Sequence, residues 1–81
     1  MRVLIVSPEK VLYSGEVSIL RLPGEKGRFE VLDRHAPIIS TLGQGSVECD
    51  TAGQPFAVDI KKGFVEISQG IATVCVEAEE N

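Results

Sequence analysis

Side chains that could carry out covalent chemistry are scarce in this chain. His35 is its only histidine, and Cys49 and Cys75 are its only cysteines. A histidine beside a thiol could form a nucleophilic dyad, because the imidazole can accept the thiol proton. Both cysteines fall inside segments that resemble strand interiors, where free thiols are usually buried. We therefore expect Cys49 and Cys75 to be reduced residues in or near the core, with a disulfide as the alternative.

Other catalytic arrangements find little support. A single histidine and the lack of a CxxC pair exclude a recognisable zinc site. The twelve acidic residues show no paired-acid pattern. The candidate serine nucleophiles lie outside the GxSxG pattern of a nucleophile elbow; they are Ser7, Ser14, Ser18 and Ser40. We expect no catalytic, cofactor-binding or metal-binding residues and no enzymatic activity of the chain itself.

Two glycines and the histidine have structural interpretations. Gly24 and Gly27 do not fit a phosphate-binding loop, which requires GxxxxGK[ST] running into a helix, so we interpret them as turn glycines. His35 precedes an Ala-Pro step that favours extended backbone. His35 either bonds to nearby backbone and holds this corner or contacts a partner protein.

The elements that position these residues are predicted to be strands. Apolar residues alternate with polar ones over Phe56–Ile60, Val47–Cys49 and Ala72–Val76, which indicates strands with one buried face. Turn or bulge signals, Lys62-Gly63 among them, occur along the chain at short intervals, and Ser7 could cap a Ser7–Lys10 turn. The pattern predicts an all-β sandwich or flattened barrel without a long helix. Nine strands are predicted, at Arg2–Val6, Lys10–Tyr13, Glu16–Leu22, Arg28–Leu32, Ile38–Leu42, Ser46–Asp50, Gln54–Ile60, Phe64–Ser68 and Ile71–Glu77.

Charge and length exclude several classes of protein. The net charge is −4, and Lys61-Lys62 is the only adjacent basic pair, so nucleic-acid binding is disfavoured. No apolar run approaches the length needed to cross a bilayer or to act as a secretory signal. We expect a cytoplasmic protein with one domain over residues 1–77, followed by a short acidic tail over residues 78–81.

Several short motifs occur in a definite order along the chain. The central group is Leu22-Pro-Gly24, Gly27 and His35-Ala-Pro-Ile38. The flanking motifs are Val3-Leu-Ile-Val-Ser-Pro-Glu9, Tyr13-Ser-Gly15, Leu42-Gly-Gln-Gly45, Lys62-Gly-Phe-Val-Glu66 and Ala72-Thr-Val-Cys-Val76. Each motif is weak alone, but in their order and spacing they resemble the epsilon subunit of F-type ATP synthase.

The resemblance implies a ten-stranded β-sandwich in the central rotor. Such a domain binds the gamma shaft and the polar loops of the membrane c-ring, and it couples ion-driven rotation to ATP synthesis without inserting into the bilayer. It implies a peripheral subunit of the F1 sector on the cytoplasmic face of a bacterial inner membrane. The implied c-ring contacts are Gly27, Arg28, Phe29, Glu30, Asp33 and Arg34. The implied gamma contacts are Ser7, His35, Ala36, Pro37 and Ile38.

The chain departs from the family pattern at three points. Glu30 stands where members usually have glycine, which implies a less strained backbone or a side chain directed at the ring. Arg28 stands where some members have a carboxylate, so it would bond ring carbonyls or a ring carboxylate. Most bacterial members continue into a C-terminal helical hairpin that inhibits ATP hydrolysis and in some binds ATP. Because the sequence stops after its last strand, we expect neither property here.

The alternative functions are a stand-alone binding module and a small hydrolase. A stand-alone β-sandwich module for a peptide or sugar would need a concave, aromatic-rich site. The available aromatics are Tyr13, Phe29, Phe56 and Phe64, of which Phe56 and Phe64 are expected in the core. A small hydrolase would need His35 to bond a serine or cysteine across a cleft.

Overall fold

The computed structural model describes residues 1–79 and confirms an all-β fold. There are eight strands in the described residues: β1 Arg2–Val6, β2 Val11–Glu16, β3 Ile19–Gly24, β4 Gly27–Leu32, β5 Ile38–Leu42, β6 Gly45–Asp50, β7 Phe56–Ser68 and β8 Ile71–Ala78. This is fewer than the nine that periodicity predicts and the ten that the resemblance implies. In this part of the chain no helix is long and apolar enough to cross a membrane.

The strands form two layers that share β7. The first sheet has the order β2-β1-β8-β7-β5, and β1 and β8 are parallel in it while the other neighbours are antiparallel. The second sheet has the order β7-β6-β3-β4 and is antiparallel throughout. One further pair, Gly24 with Leu42, joins β3 to β5. The result is a flattened barrel in which β4 and β2 are terminal strands.

The long strand β7 explains the difference in strand number. Two predicted strands, Gln54–Ile60 and Phe64–Ser68, are one strand with a β-bulge between Ile60 and Lys62. A side chain on Gly63 would overlap the backbone oxygen of Cys75. The Lys62-Gly63 signal therefore marks a bend where β7 passes from one sheet to the other, which is a frequent use of bulges.

The core lies between the inner faces of the two sheets. The predicted alternation is confirmed at Val47, Cys49 and Ile60 and at the buried positions of β8, which are Ala72, Val74 and Val76. Phe56 and Val58 are half-buried against this core. Phe56 also stacks on Tyr13 with ring centroids 4.8 Å apart.

One core assignment is wrong. Phe64 was expected in the core, but 48% of its surface is exposed. Its neighbour Val65 is fully buried and Ile67 nearly so. Because successive strand residues point to opposite faces, Phe64 must lie on the outer face of the first sheet.

Hydrogen bonds define the first turn and the last described residue. The Ser7–Lys10 turn closes as predicted, with the Lys10 N–H donating to the Ser7 hydroxyl over 3.3 Å. Strand β8 runs one residue past the expected boundary, and the Glu79 N–H donates to the Asp59 carbonyl over 2.9 Å. The rest of the predicted tail, residues 80–81, lies outside the described residues.

Candidate partner interfaces

The two predicted contact sets lie on different sheets. Gly27, Arg28, Phe29 and Glu30 belong to β4, the terminal strand of the second sheet, and Asp33 and Arg34 begin the corner after it. Ser7 follows β1 and Ile38 begins β5, both in the first sheet. Ser7 adjoins the end of that sheet where Leu42 and Gly63 pair, whereas His35, Ala36 and Pro37 precede its other end.

The corner between β4 and β5 is held mainly by backbone and by the amino terminus. The His35 N–H donates to the Leu32 carbonyl over 3.2 Å, and His35 Nδ1 lies 2.8 Å from the Ala36 carbonyl. This geometry fits the first of the two alternatives given for His35, in which it holds the corner, and the side chain is exposed. The Met1 ammonium lies 2.5 Å from the Asp33 carboxylate. That hydrogen bond raises the pKa of the ammonium, against the opposing effect of burial.

Arg21 connects three strands on the outer face of the second sheet. Its Nε lies 2.9 Å from Glu30 and its Nη1 lies 2.8 Å from Asp50. The hydrogen bond from Arg21 lowers the pKa of the Asp50 carboxyl. The bonds to Asp50 and then to Glu30 raise the pKa of the guanidinium itself. Glu30 is therefore engaged within the chain, at the position where the resemblance led us to expect glycine.

Arg28 is engaged on the same face. Its Nη2 lies 3.1 Å from the Glu48 carboxylate, and its Nη1 donates to the Ser46 carbonyl over 2.7 Å. The guanidinium expected to meet the ring is thus paired with a carboxylate of this chain. We define the charged face as Arg21, Arg28, Glu30, Glu48 and Asp50.

The outer face of the first sheet carries a largely apolar row instead. Strand register aligns Val6, Cys75, Phe64 and Thr41 in one row across β1, β8, β7 and β5. The next row on this face is mixed: it ends at Ile39, which is 77% exposed and pairs with the exposed Glu66. An open groove follows the first row, with Pro8 beside it and charged groups at its rim, among them Glu25, Lys62 and Glu77. We define the apolar face as Val6, Ile39, Phe64 and Cys75.

The apolar face was missed by sequence reasoning, although a signal was present. Apolar residues occur in adjacent pairs at Ile5-Val6, Ile38-Ile39 and Phe64-Val65. A strand with one solvated face alternates, whereas adjacent apolar residues indicate that both faces avoid water. One residue of each pair lies on this outer face: Val6, Ile39 and Phe64.

The two cysteines differ in environment. Cys49 is buried, and this burial, helped by the nearby Asp50 charge, raises the pKa of its thiol to about 11. Cys75 is half-buried and lines the groove. Both are free thiols, as expected. No group of three or more metal-ligating side chains occurs in residues 1–79.

Comparison with known proteins decides the family. A model of the ATP synthase delta/epsilon chain β-sandwich domain matches residues 1–81. The chain belongs to this family. It is 38% identical over 77 residues to an ATP synthase epsilon chain of Leptospira interrogans, covering 95% of this chain and 61% of that protein. It is 37% identical over 73 residues to the ATP synthase epsilon chain of Caulobacter vibrioides, covering 90% of this chain and 85% of that protein.

Chains in two solved structures share this fold. A chain in the central stalk and c-ring structure of Tetrahymena thermophila mitochondrial ATP synthase has a TM-score of 0.79 at 11% identity, covering 94% of this chain and 62% of that one. A chain in a Euglena gracilis mitochondrial ATP synthase structure has a TM-score of 0.83 at 17% identity, covering 91% of this chain and 48% of that one. The epsilon-type domain described here spans about three fifths of the Leptospira relative.

Proposed function

We propose that this chain is a central-stalk subunit of a rotary F-type ATP synthase. In this role it links the gamma shaft to the membrane ring and transmits rotation without bond chemistry of its own. It works as a peripheral part of the F1 sector on the cytoplasmic face of a bacterial membrane. Membership of the delta/epsilon family supports this role, and the observation that carries it is the exposed apolar face.

The apolar face is the proposed docking surface for gamma. An apolar centre with a charged rim is the usual anatomy of a stable protein interface. Phe64 and Ile39 expose large apolar surfaces, and the rim of the groove carries both signs of charge. Ser7 borders this face at one end, and His35, Ala36, Pro37 and Ile38 lead into it at the other. The proposed gamma contacts therefore frame a single surface.

The ring-side surface is proposed on β4 and the corner after it. Its residues are Gly27, Arg28, Phe29, Glu30, Asp33 and Arg34. Because β4 pairs only with β3 among the described strands, one edge of this strand is open to a partner. Arg28 and Glu30 are held by Glu48 and Arg21, so they would meet the ring as a fixed, internally balanced pair.

The natural cysteines supply the test of the proposed function. We expect a maleimide to label Cys75 in the free chain and to label Cys49 far more slowly, because the reactive thiolate is suppressed by burial. In a complex with gamma, Cys75 should be protected, and Cys49 serves as the internal control for unfolding. A stable complex in which Cys75 labels at the free rate would contradict the docking surface. If gamma does not co-purify at all, the proposed role itself is wrong.

The stand-alone binding module receives no support from the structure. Tyr13 and Phe56 are occupied with each other and with the core. Of the four aromatic residues, only Phe64 lines the apolar groove.

A further inference from the structure

The corner after β4 contains an arginine in a backbone conformation that favours glycine. Arg34 has a φ of 67°. The bond from the His35 N–H to the Leu32 carbonyl makes residues 32–35 a β-turn with Arg34 at its third position. Since Asp33 has no positive φ, the turn belongs to the type II class, which prefers glycine or asparagine at that position.

The other non-glycine residue with positive φ in residues 1–79 is explained by its turn. Gln69, with φ 54°, and Gly70, with φ 77°, form the two-residue hairpin between β7 and β8. Tight hairpins of this class require positive φ at both central residues. Arg34 lies in a longer connection between strands of different sheets, so strand pairing does not impose its conformation.

Arg34 also differs from the other arginines in its contacts. Arg21 and Arg28 form ion pairs, and Arg2 lies 3.4 Å from the Ser14 hydroxyl. Across residues 1–79 no hydrogen bond or ion pair holds the exposed Arg34 guanidinium. The nearest carboxylate in sequence, Asp33, is paired with the Met1 ammonium.

We propose that Arg34 is a recognition residue that receives a carboxylate of the ring-side protein partner. The inference rests on the proposed function and identifies the chemistry of one contact in it. Residues with unfavourable backbone geometry persist where the surrounding structure holds them, and they are frequent at functional sites. The Met1–Asp33 ion pair and the bond from the His35 N–H to the Leu32 carbonyl hold this turn, and the turn exposes the Arg34 guanidinium, for which residues 1–79 supply no anion. A guanidinium at the tip of a turn can bind a carboxylate through two parallel hydrogen bonds. In a chain of net charge −4, this cation would also attract an acidic partner locally.

Four variants separate the cation from the turn. Arg34→Gly and Arg34→Asn remove the charge and relieve the strain, Arg34→Gln removes the charge and keeps the strain, and Arg34→Lys keeps the charge without the bidentate fork. In the isolated chain, Arg34→Gly should raise Tm by about 4 °C or more. In binding to a detergent-solubilised rotor that lacks this chain, the Gly, Asn and Gln variants should each weaken affinity about tenfold or more. Arg34→Lys should be intermediate, and the control Lys61→Gln should bind like the wild type.

The outcomes separate the inference from the proposed function. If the wild-type chain binds the rotor and all four variants bind equally well, Arg34 has no anionic partner and only the inference fails. Weak binding by the Gly and Asn variants with normal binding by the Gln variant would implicate turn geometry and overturn it as well. If acidic phospholipid vesicles capture the wild-type chain through Arg34 while rotor binding is unaffected, the anion is a lipid phosphate and the protein assignment is wrong. A wild-type chain that does not bind the rotor contradicts the proposed function itself.

Discussion

The outer faces of the two sheets differ in whether their exposed side chains have partners within the chain. On the second sheet, Arg21 and Arg28 find carboxylates within the chain, and the charged face is internally paired. On the first sheet, Phe64 and Ile39 remain exposed without apolar cover. The same core stabilises both sheets, so stability does not require this asymmetry. A paired charged surface remains soluble by itself, whereas an exposed apolar surface favours a partner.

The largest effect is expected at the bend that creates both faces. Gly63→Ala places a methyl group against the Cys75 carbonyl, and because backbone cannot move aside easily, the domain should lose about 1–3 kcal/mol of unfolding free energy. Gly53→Ala is the matched control, since a Cβ at Gly53 meets nothing within 4 Å. Urea denaturation of both variants measures the difference. Equal stability of the two variants would show that β7 tolerates a side chain at its bend.

The second effect should fall on binding alone. Phe64→Thr replaces an exposed aromatic residue with a β-branched one, and strands favour both types, so the free energy of unfolding of the isolated domain should change by less than about 1 kcal/mol. Affinity for gamma should fall about tenfold or more, because an aromatic at the centre of an interface is a frequent hot spot. The matched change on the charged face, Arg21→Gln, should leave gamma affinity unaltered. Titration calorimetry tests both, and a larger loss for Arg21→Gln would reverse the assignment of the faces.

A smaller effect is expected from alkaline pH at the corner. The Met1 ammonium has its pKa raised above 8.0 in the folded chain, chiefly by the hydrogen bond to Asp33. Its contribution to stability is therefore fully present below pH 8 and is lost as pH rises through the folded pKa. In chains with a free amine at Met1, Asp33→Asn should flatten the decline in stability above pH 8. Parallel declines in the variant and the wild type would exclude this pair as the cause.

The smallest effect is expected on the charged face at acid pH. The Asp50 carboxyl has a lowered pKa because of its bond to Arg21. Its contribution is present above the unfolded pKa and is lost as pH falls through the folded one. Arg21→Gln should remove this acid dependence while changing Tm at pH 7 by no more than about 4 °C, because the pair is solvent-screened. Thermal scans between pH 3 and pH 7 would detect a larger change, which would mean that the network is structural.

Local patterns account for much of the fold. Alternation at Val47–Cys49 and Ala72–Val76 identifies strands and their buried faces correctly, because the two-residue period is a property of one strand. The turn at Ser7 and the turn glycine at Gly27 were also predictable, since their chemistry is confined to a few neighbouring residues. The turn or bulge signal at Lys62-Gly63 is confirmed as a bulge, but the division of β7 into two strands at this point is wrong, because a bulge and a turn give the same local signal.

Features that depend on several strands could not be predicted in this way. The pairs of Arg21 with Asp50 and of Arg28 with Glu48 join residues that lie far apart in sequence. They exist because β3 lies between β4 and β6. The exposure of Phe64 depends likewise on the bulge that sets the register of β7.

The sequence by itself determined an all-β chain of the ATP synthase delta/epsilon family, with a turn-rich segment at Leu22–Pro37 and no recognisable catalytic set. Its periodicity fixes which residues alternate, but a two-residue period has two equivalent faces and does not say what covers each one. Only the tertiary structure decided that Phe64 and Ile39 share an exposed apolar face, that Arg28 and Glu30 are engaged within the chain, and that Arg34 stands in a strained turn without a partner among the described residues. Each of these outcomes depends on the register between strands far apart in sequence, and that register is set when the two sheets close around one core.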